Sequence, residues 1–256
     1  MMRVVVALAV SGAVAAAQSY VPERVFDSAS GRFSDFETMI AAVAHADVAF
    51  LGEQHDDAHG HRLELAVLEG LARRRSQIVL GLEMFERDVQ EPLDHFSMGH
   101  LTEGDFLRVA RPWPRYATDY APVVAFAIAH DWPIVATNAP QAIVTEVSTG
   151  GLDVLQGKAV ADRKLVAADL QCPTGDDYHA RFMTARADHP LGDGQAMDRL
   201  YLAQCVRDET MAESVAQAWQ VGALSGQPLV VHINGAFHSD FREGTAARAI
   251  RRLPGK

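Results

Sequence analysis

The chain of 256 residues has only two cysteines, Cys172 and Cys205, and just 7% aromatic residues. So low a count excludes a disulfide-dense scaffold, and with no Cys-x-x-Cys or His-x-Cys spacing a cysteine metal site is excluded too. Positive charge is also scarce: 23 Lys and Arg stand against 33 Asp and Glu, a formal net charge of −10. That balance leaves no electrostatic footprint for nucleic acid. The one basic run, Arg73-Arg74-Arg75, ends a predicted helix, where cations meet the carbonyl end of the helix dipole favourably. No apolar run reaches the roughly 20 residues of a membrane-spanning helix, so the mature chain is expected to lack a transmembrane segment. G-x-S-x-G, H-E-x-x-H and Walker-type glycine loops are absent, which removes the commonest hydrolase, zincin and nucleotide signatures.

What the chain does have begins with a leader. Arg3 supplies a positive start, residues 4–14 an apolar core, and Ala15-Ala16-Ala17 a small-residue cleavage site. Residues 1–17 therefore read as a secretory signal peptide cut after Ala17, and residues 18–256 as one mature domain that is periplasmic or secreted. No cysteine follows the cleavage point, so no lipid anchor of the bacterial type is expected. In an oxidising compartment Cys172 and Cys205 are expected to form a disulfide. The remaining composition, 48% hydrophobic and 22% charged, is that of a globular chain.

Four short apolar runs share one grammar: DVAFLGE (47–53), IVLGLEMF (78–85), PIVATN (133–138) and PLVVHING (228–235). Each is rich in β-branched residues and nearly continuous, as strands buried on both faces of a parallel sheet are. Between the first two, Leu63, Val67, Leu68 and Leu71 recur at helical spacing behind Asp57, a natural N-cap, giving a βαβ unit. Residues 118–132 read as another helix, and residues 196–224 as one long helix. The fold class expected is α/β: a three-layer, mostly parallel sheet with a helical insertion at about 150–225.

Polar residues cluster where these runs stop. Glu53 and His55 end the first, Glu83 the second, Asn138 the third, and the segment from Asn234 to His238 the fourth. Open parallel sheets bind ligands outside the carboxyl ends of their strands, so four strands delivering polar groups to one edge point to a site. A buried carboxylate there needs a partner, and a metal ion, an arginine or a histidine would serve. Arg87, Arg207 and Asp208 are candidate partners. His55 and His59, four apart, either share a metal on a helix or lie exposed in its first turn; His238 is a loop histidine within reach of Asp240. His232 reads as a satisfied core residue, whereas His61, His95, His100, His130, His179 and His189 read as surface. Residues 111–122, with Trp113, Tyr116 and Tyr120, either line a pocket or pack on the insertion.

LGEQHDDAHGH, GLEMFERDVQ, ATNAP and INGAFH, together with AQCVRDETMAESVA, resemble the ChaN-like haem-binding uptake family of the Tiki and TraB-related superfamily. That resemblance implies an exported, haem-binding protein of haem or iron uptake, in one arrangement a homodimer sandwiching two haems with tyrosine ligation. Tyr201, Tyr178 and Tyr116, in that order, are the candidate axial ligands, with Arg207 a further cofactor-binding candidate. Tiki-type relatives imply instead a metal-dependent hydrolase, a protease or esterase, with two G-x-x-H motifs. Those motifs match Gly52–His55 and Gly235–His238 here. On that alternative His55, His238 and Glu53 hold a divalent metal ion, and Glu53 or Glu83 acts as the catalytic base.

Overall fold

In this computed structural model, residues 23–186 and 194–256 are described. The expected leader, Tyr20 and His189 lie outside them. A hairpin of β1 (Arg24–Asp27) and β2 (Arg32–Asp35) precedes α1 (Phe36–Val43). The central sheet and its helices follow as β3 (Val48–Glu53), α2 (Ala58–Ala72), β4 (Ile78–Glu86), α3 (Gln90–Ser97), α4 (Glu103–Ala110), α5 (Tyr116–Asp119), α6 (Ala121–Ala129) and β5 (Ile134–Asn138). The second half runs α7 (Gln141–Gly150), α8 (Val160–Arg163), α9 (Asp177–Ala185), α10 (Gly194–Gly222), β6 (Leu229–Gly235) and α11 (Gly244–Arg252).

All four runs singled out in the sequence are strands of one parallel sheet, in the order β3-β6-β4-β5. The last strand therefore inserts between the first two of the sheet. Alternate side chains then serve two cores, as the pleat requires. Leu80, Leu82, Leu229, Val231 and Ile233 join Ile40, Leu68, Leu71 and Val123 on one face. Val79 and Val230 meet Ala212, Val215 and Ala249 on the other. The long helix α10 packs against β4, β5 and β6, so the second part of the expected insertion forms an outer layer of the sandwich.

Local chemistry sets the boundaries that matter for the site. Asp57 caps α2, its carboxylate accepting the His59 N–H at 2.9 Å. His55 therefore stands before the helix, and His59 bonds Glu23 at 3.0 Å, so the two do not form a helical metal pair. Arg87 goes to Glu213 at 3.0 Å and leaves the strand-end carboxylates to other partners.

Cys172 and Cys205 are joined in a disulfide across 33 residues of sequence. Closing a loop of that length constrains the unfolded chain by about 3–4 kcal/mol in the chain-entropy view. Replacing both cysteines by serine is expected to lower the unfolding midpoint in urea accordingly, and reduction of the native chain to do the same. A midpoint indifferent to both changes would contradict this.

Candidate functional site

The parallel pairing of β3 with β6 sets Glu53 beside Gly235 and Gly52 beside Asn234. Each G-x-x-H motif needs its glycine for the other. A Cβ on Gly52 would lie 3.0 Å from the Ala236 Cα, and one on Gly235 would lie 2.9 Å from the His55 Nε2. The motifs thus interlock at one sheet edge through two positions where only hydrogen fits.

Two carboxylate–histidine sets stand there. In the first, His55 Nδ1 donates to Glu53 Oε1 at 2.6 Å, and the Tyr120 hydroxyl donates to the same oxygen at 2.8 Å. Glu53 is 5% exposed, whereas about half of the His55 side chain (51%) is open. The hydrogen bond to Glu53 holds the His55 pKa above its ordinary value, against the pull of burial. With Nδ1 engaged, the neutral ring keeps its lone pair at Nε2. Trp113 packs edge-on to His55 with ring centres 4.7 Å apart, which answers what the 111–122 loop does.

In the second set, Glu83 Oε2 accepts the Gly235 N–H at 2.6 Å and Oε1 lies 3.2 Å from His238 Nε2. The other nitrogen of His238 donates to Asp208 Oδ1 at 2.7 Å. Asp208, on α10, rather than Asp240 holds the ring. Burial works against charge on His238, but Glu83 and Asp208 outweigh it and raise the pKa to about 10. Burial likewise opposes ionisation of Glu83, yet the His238 imidazolium, the Gly235 N–H and His55 bring its pKa down to about 2. The pair is therefore ionised on both sides at neutral pH.

A third group went unrecognised in the sequence. His61, expected at the surface, is 4% exposed. Its Nδ1 lies 3.1 Å from Glu64 Oε2 and 3.2 Å from Glu53 Oε2. Burial drives the Glu64 carboxyl pKa upward, and the neighbouring Glu53 adds to that rise. His232 is the core residue anticipated, fully buried between Thr137 Oγ1 at 2.9 Å and Asn234 Oδ1 at 3.1 Å, and burial lowers its pKa to about 4.

Glu53, His55, Glu83, Arg207 and His238 all line one cavity of about 530 Å³, with Gln204, Arg186, Phe182 and Phe237 among its other walls. Arg207 reaches Asn138 Oδ1 at 3.1 Å and Gln141, while Asn138 donates to the Glu83 carbonyl at 3.1 Å. The tyrosines sit elsewhere. Tyr201 donates to the Pro173 carbonyl at 2.5 Å and Tyr178 to Asp208 at 2.5 Å. Tyr116 is buried with its hydroxyl unpartnered. Burial raises the pKa of each of these hydroxyls, as it does that of Tyr120, which disfavours the phenolate an iron would require. Every tyrosine among the described residues is buried, so none presents a phenol to a cavity or surface.

The bare-ion arrangement can be tested in the same way. Among the described residues, the one group of three metal-capable side chains with ligand atoms within 4.8 Å of one another is Glu53, His61 and Glu64. His238 has both ring nitrogens committed to carboxylates. His55, His238 and Glu53 thus share a cavity wall without forming a ready-made ligand set.

A parallel α/β sandwich with carboxylate–histidine pairs at the carboxyl edge of its sheet defines the class of protein. The family model described as haem-binding uptake, Tiki superfamily, ChaN matches residues 39–249, and the chain belongs to that family. A solved structure titled for cofacial heme binding to ChaN of Campylobacter jejuni is similar over 90% of this chain and 86% of that one, at 18% identity and a TM-score of 0.67. At that identity the likeness is one of fold. No curated protein matches the chain.

Proposed function

We propose that the protein binds haem as an exported component of haem or iron uptake, with His55 meeting the iron. What carries the reading is the half-open His55 at the cavity, its Nδ1 held by the buried Glu53, in a chain of a haem-binding family. A carboxylate behind a histidine fixes its tautomer and raises its basicity as a ligand. Arg186 and Arg207 supply charge for the propionates, and Phe182 and Phe237 supply apolar wall. The buried tyrosines do not fit ligation as they stand, so the tyrosinate arrangement is replaced here by histidine. Iron in a bound haem would supply the electrophilic centre; the chain's own part is to orient it and to shield one face.

Export rests on the composition of residues 1–17 and on the disulfide, which persists where thiols are not kept reduced. Among the described residues no helix is long and apolar enough to cross a membrane. The cofacial binding named for the Campylobacter protein supports a homodimer bringing two haems face to face.

Titration of the chain with haemin is expected to give a saturable Soret shift that His55→Ala abolishes, while Tyr201→Phe leaves it in place. Loss on Tyr201→Phe with retention in His55→Ala would reverse the assignment, and absence of any shift would end the haem reading.

A second reading, hydrolysis by the strand-end acids and bases, has its own support in the Glu83–His238–Asp208 chain. A charged imidazole held between two buried carboxylates is a proton donor positioned at a cavity wall. On this reading Glu83→Gln removes ester or peptide hydrolysis while leaving haemin binding unchanged, and a panel of such substrates, all untouched by the native chain, would eliminate it.

A further inference from the structure

Helix α2 carries His61, Glu64, Leu68 and Leu71 at spacings of three and four, so all four share its buried face. That face turns His61 and Glu64 toward Glu53 at the end of β3. The three residues are 4%, 6% and 5% exposed, respectively. On one side of the His61 ring, Nε2 lies 3.3 Å from the His55 carbonyl and 3.6 Å from Asp119 Oδ2. An N–H at Nε2 is directed to the His55 carbonyl, and in the neutral ring that tautomer places the lone pair at Nδ1. On that other side wait only carboxylate oxygens, Glu64 Oε2 at 3.1 Å and Glu53 Oε2 at 3.2 Å.

Three electron-pair donors thus converge in the interior. Glu53 Oε2 lies at ion-pair distance from His61 Nδ1 but off the direction of a hydrogen bond, and it is buried without a hydrogen-bond partner. The sister oxygen, Oε1, is already engaged by Tyr120 and His55. Arg115 is held by Asp119 at 2.7 Å and does not neutralise the group. A buried carboxylate oxygen left open among other donors needs a positive partner.

We infer that Glu53, His61 and Glu64 form a divalent-cation site behind the cavity, separate from His55 and His238. One imidazole and two carboxylates make a mixed N/O donor set of the kind that suits zinc, manganese or ferrous iron. The surroundings match what ligands of such ions require: the Nε2 side of His61 is oriented by the His55 carbonyl, and Tyr120 orients Glu53. Glu53 also lines the cavity, so the group lies directly behind that wall. Because Glu53 would then touch the ion through Oε2 and His55 through Oε1, occupancy bears directly on the cavity histidine. The site stands on these residues alone and does not depend on haem binding.

The test uses Zn²⁺ as probe, added to the full chain after chelator treatment and counted by elemental mass spectrometry following dialysis. One equivalent is expected in the native protein and in His55→Ala, with affinity falling by roughly tenfold or more in Glu64→Gln. X-ray absorption at the zinc edge of the loaded native chain gives a readout that needs no variant to fold. It is expected to show one imidazole and otherwise oxygen ligands at about 2.0–2.2 Å. Two imidazoles, zinc lost in His55→Ala but kept in Glu64→Gln, or no zinc retained at all would each overturn the assignment.

Discussion

Asp208→Ala is expected to destabilise the protein by about 3–5 kcal/mol, the range for removing one partner of a buried ion pair and stranding the other. Asp208 is 0% exposed and serves three groups: His238 Nδ1 at 2.7 Å, the Tyr178 hydroxyl at 2.5 Å and the Thr245 hydroxyl at 2.9 Å. Alanine would leave a buried imidazolium facing Glu83 alone and two hydroxyls without their acceptor. Urea unfolding followed by circular dichroism measures the loss. Asp208→Asn, which keeps an acceptor but no charge, should lose less, and adding His238→Gln to Asp208→Ala should recover part of the cost, because the stranded charge is then gone. A loss below about 1 kcal/mol for Asp208→Ala, the size of an exposed pair, would mean that the three contacts do not act as a unit.

Stability is expected to peak near pH 6.5 and to fall on both sides, by different groups. The pKa of His238 is raised from its ordinary 6.5 to about 10, so its contribution is complete below 6.5 and is lost as pH rises toward 10. Glu83 is lowered from 4.5 to about 2, so its contribution is complete above 4.5 and is lost as pH falls toward 2. His232, lowered by burial from 6.5 to about 4, adds an earlier acid loss between those values, because the folded protein resists the proton that the unfolded chain accepts. Urea midpoints taken from pH 3 to 10 at constant ionic strength should trace this asymmetric dome. Glu83→Gln withdraws one of the two carboxylates that hold the proton on His238, so its alkaline fall should end at lower pH. A flat midpoint between pH 6.5 and 10 in the native protein would refute the ionised pair.

Much of this was legible in the residues, and the limits have physical causes. The four strands could be read because a strand buried on both faces tolerates little besides apolar residues, and Glu53, Glu83, Asn138 and His238 could be placed because they follow where such runs stop. The partners of those residues are another matter. His61 reads as a surface residue, although its spacing from Leu68 and Leu71, shared by Glu64, puts it in line with the buried face. Asp208, a candidate partner already in the sequence, sits on α10 in register with Tyr201, Cys205, Ala212 and Val215, all of them buried. In each helix the signal was a charged residue continuing an apolar stripe. The tyrosines differ: a phenol on a helix carries no sequence mark of facing a cavity or the core, and here packing turns all the described ones inward.

By itself, then, the sequence determined the parallel α/β class, the edge at which polar groups gather and the family to which the chain belongs. Those follow from local chemistry, since strand burial, helix capping and motif spacing are all written within a few residues of one another. Tertiary structure alone decided the strand order β3-β6-β4-β5 and the partners at the site. Pairing β6 between β3 and β4 brings residues about 180 positions apart into register, and only that pairing lets Gly52 and Gly235 interlock the two histidine motifs. The same closure sets His238 between Glu83 and Asp208. Such contacts depend on long-range packing of buried charge, which no local pattern encodes.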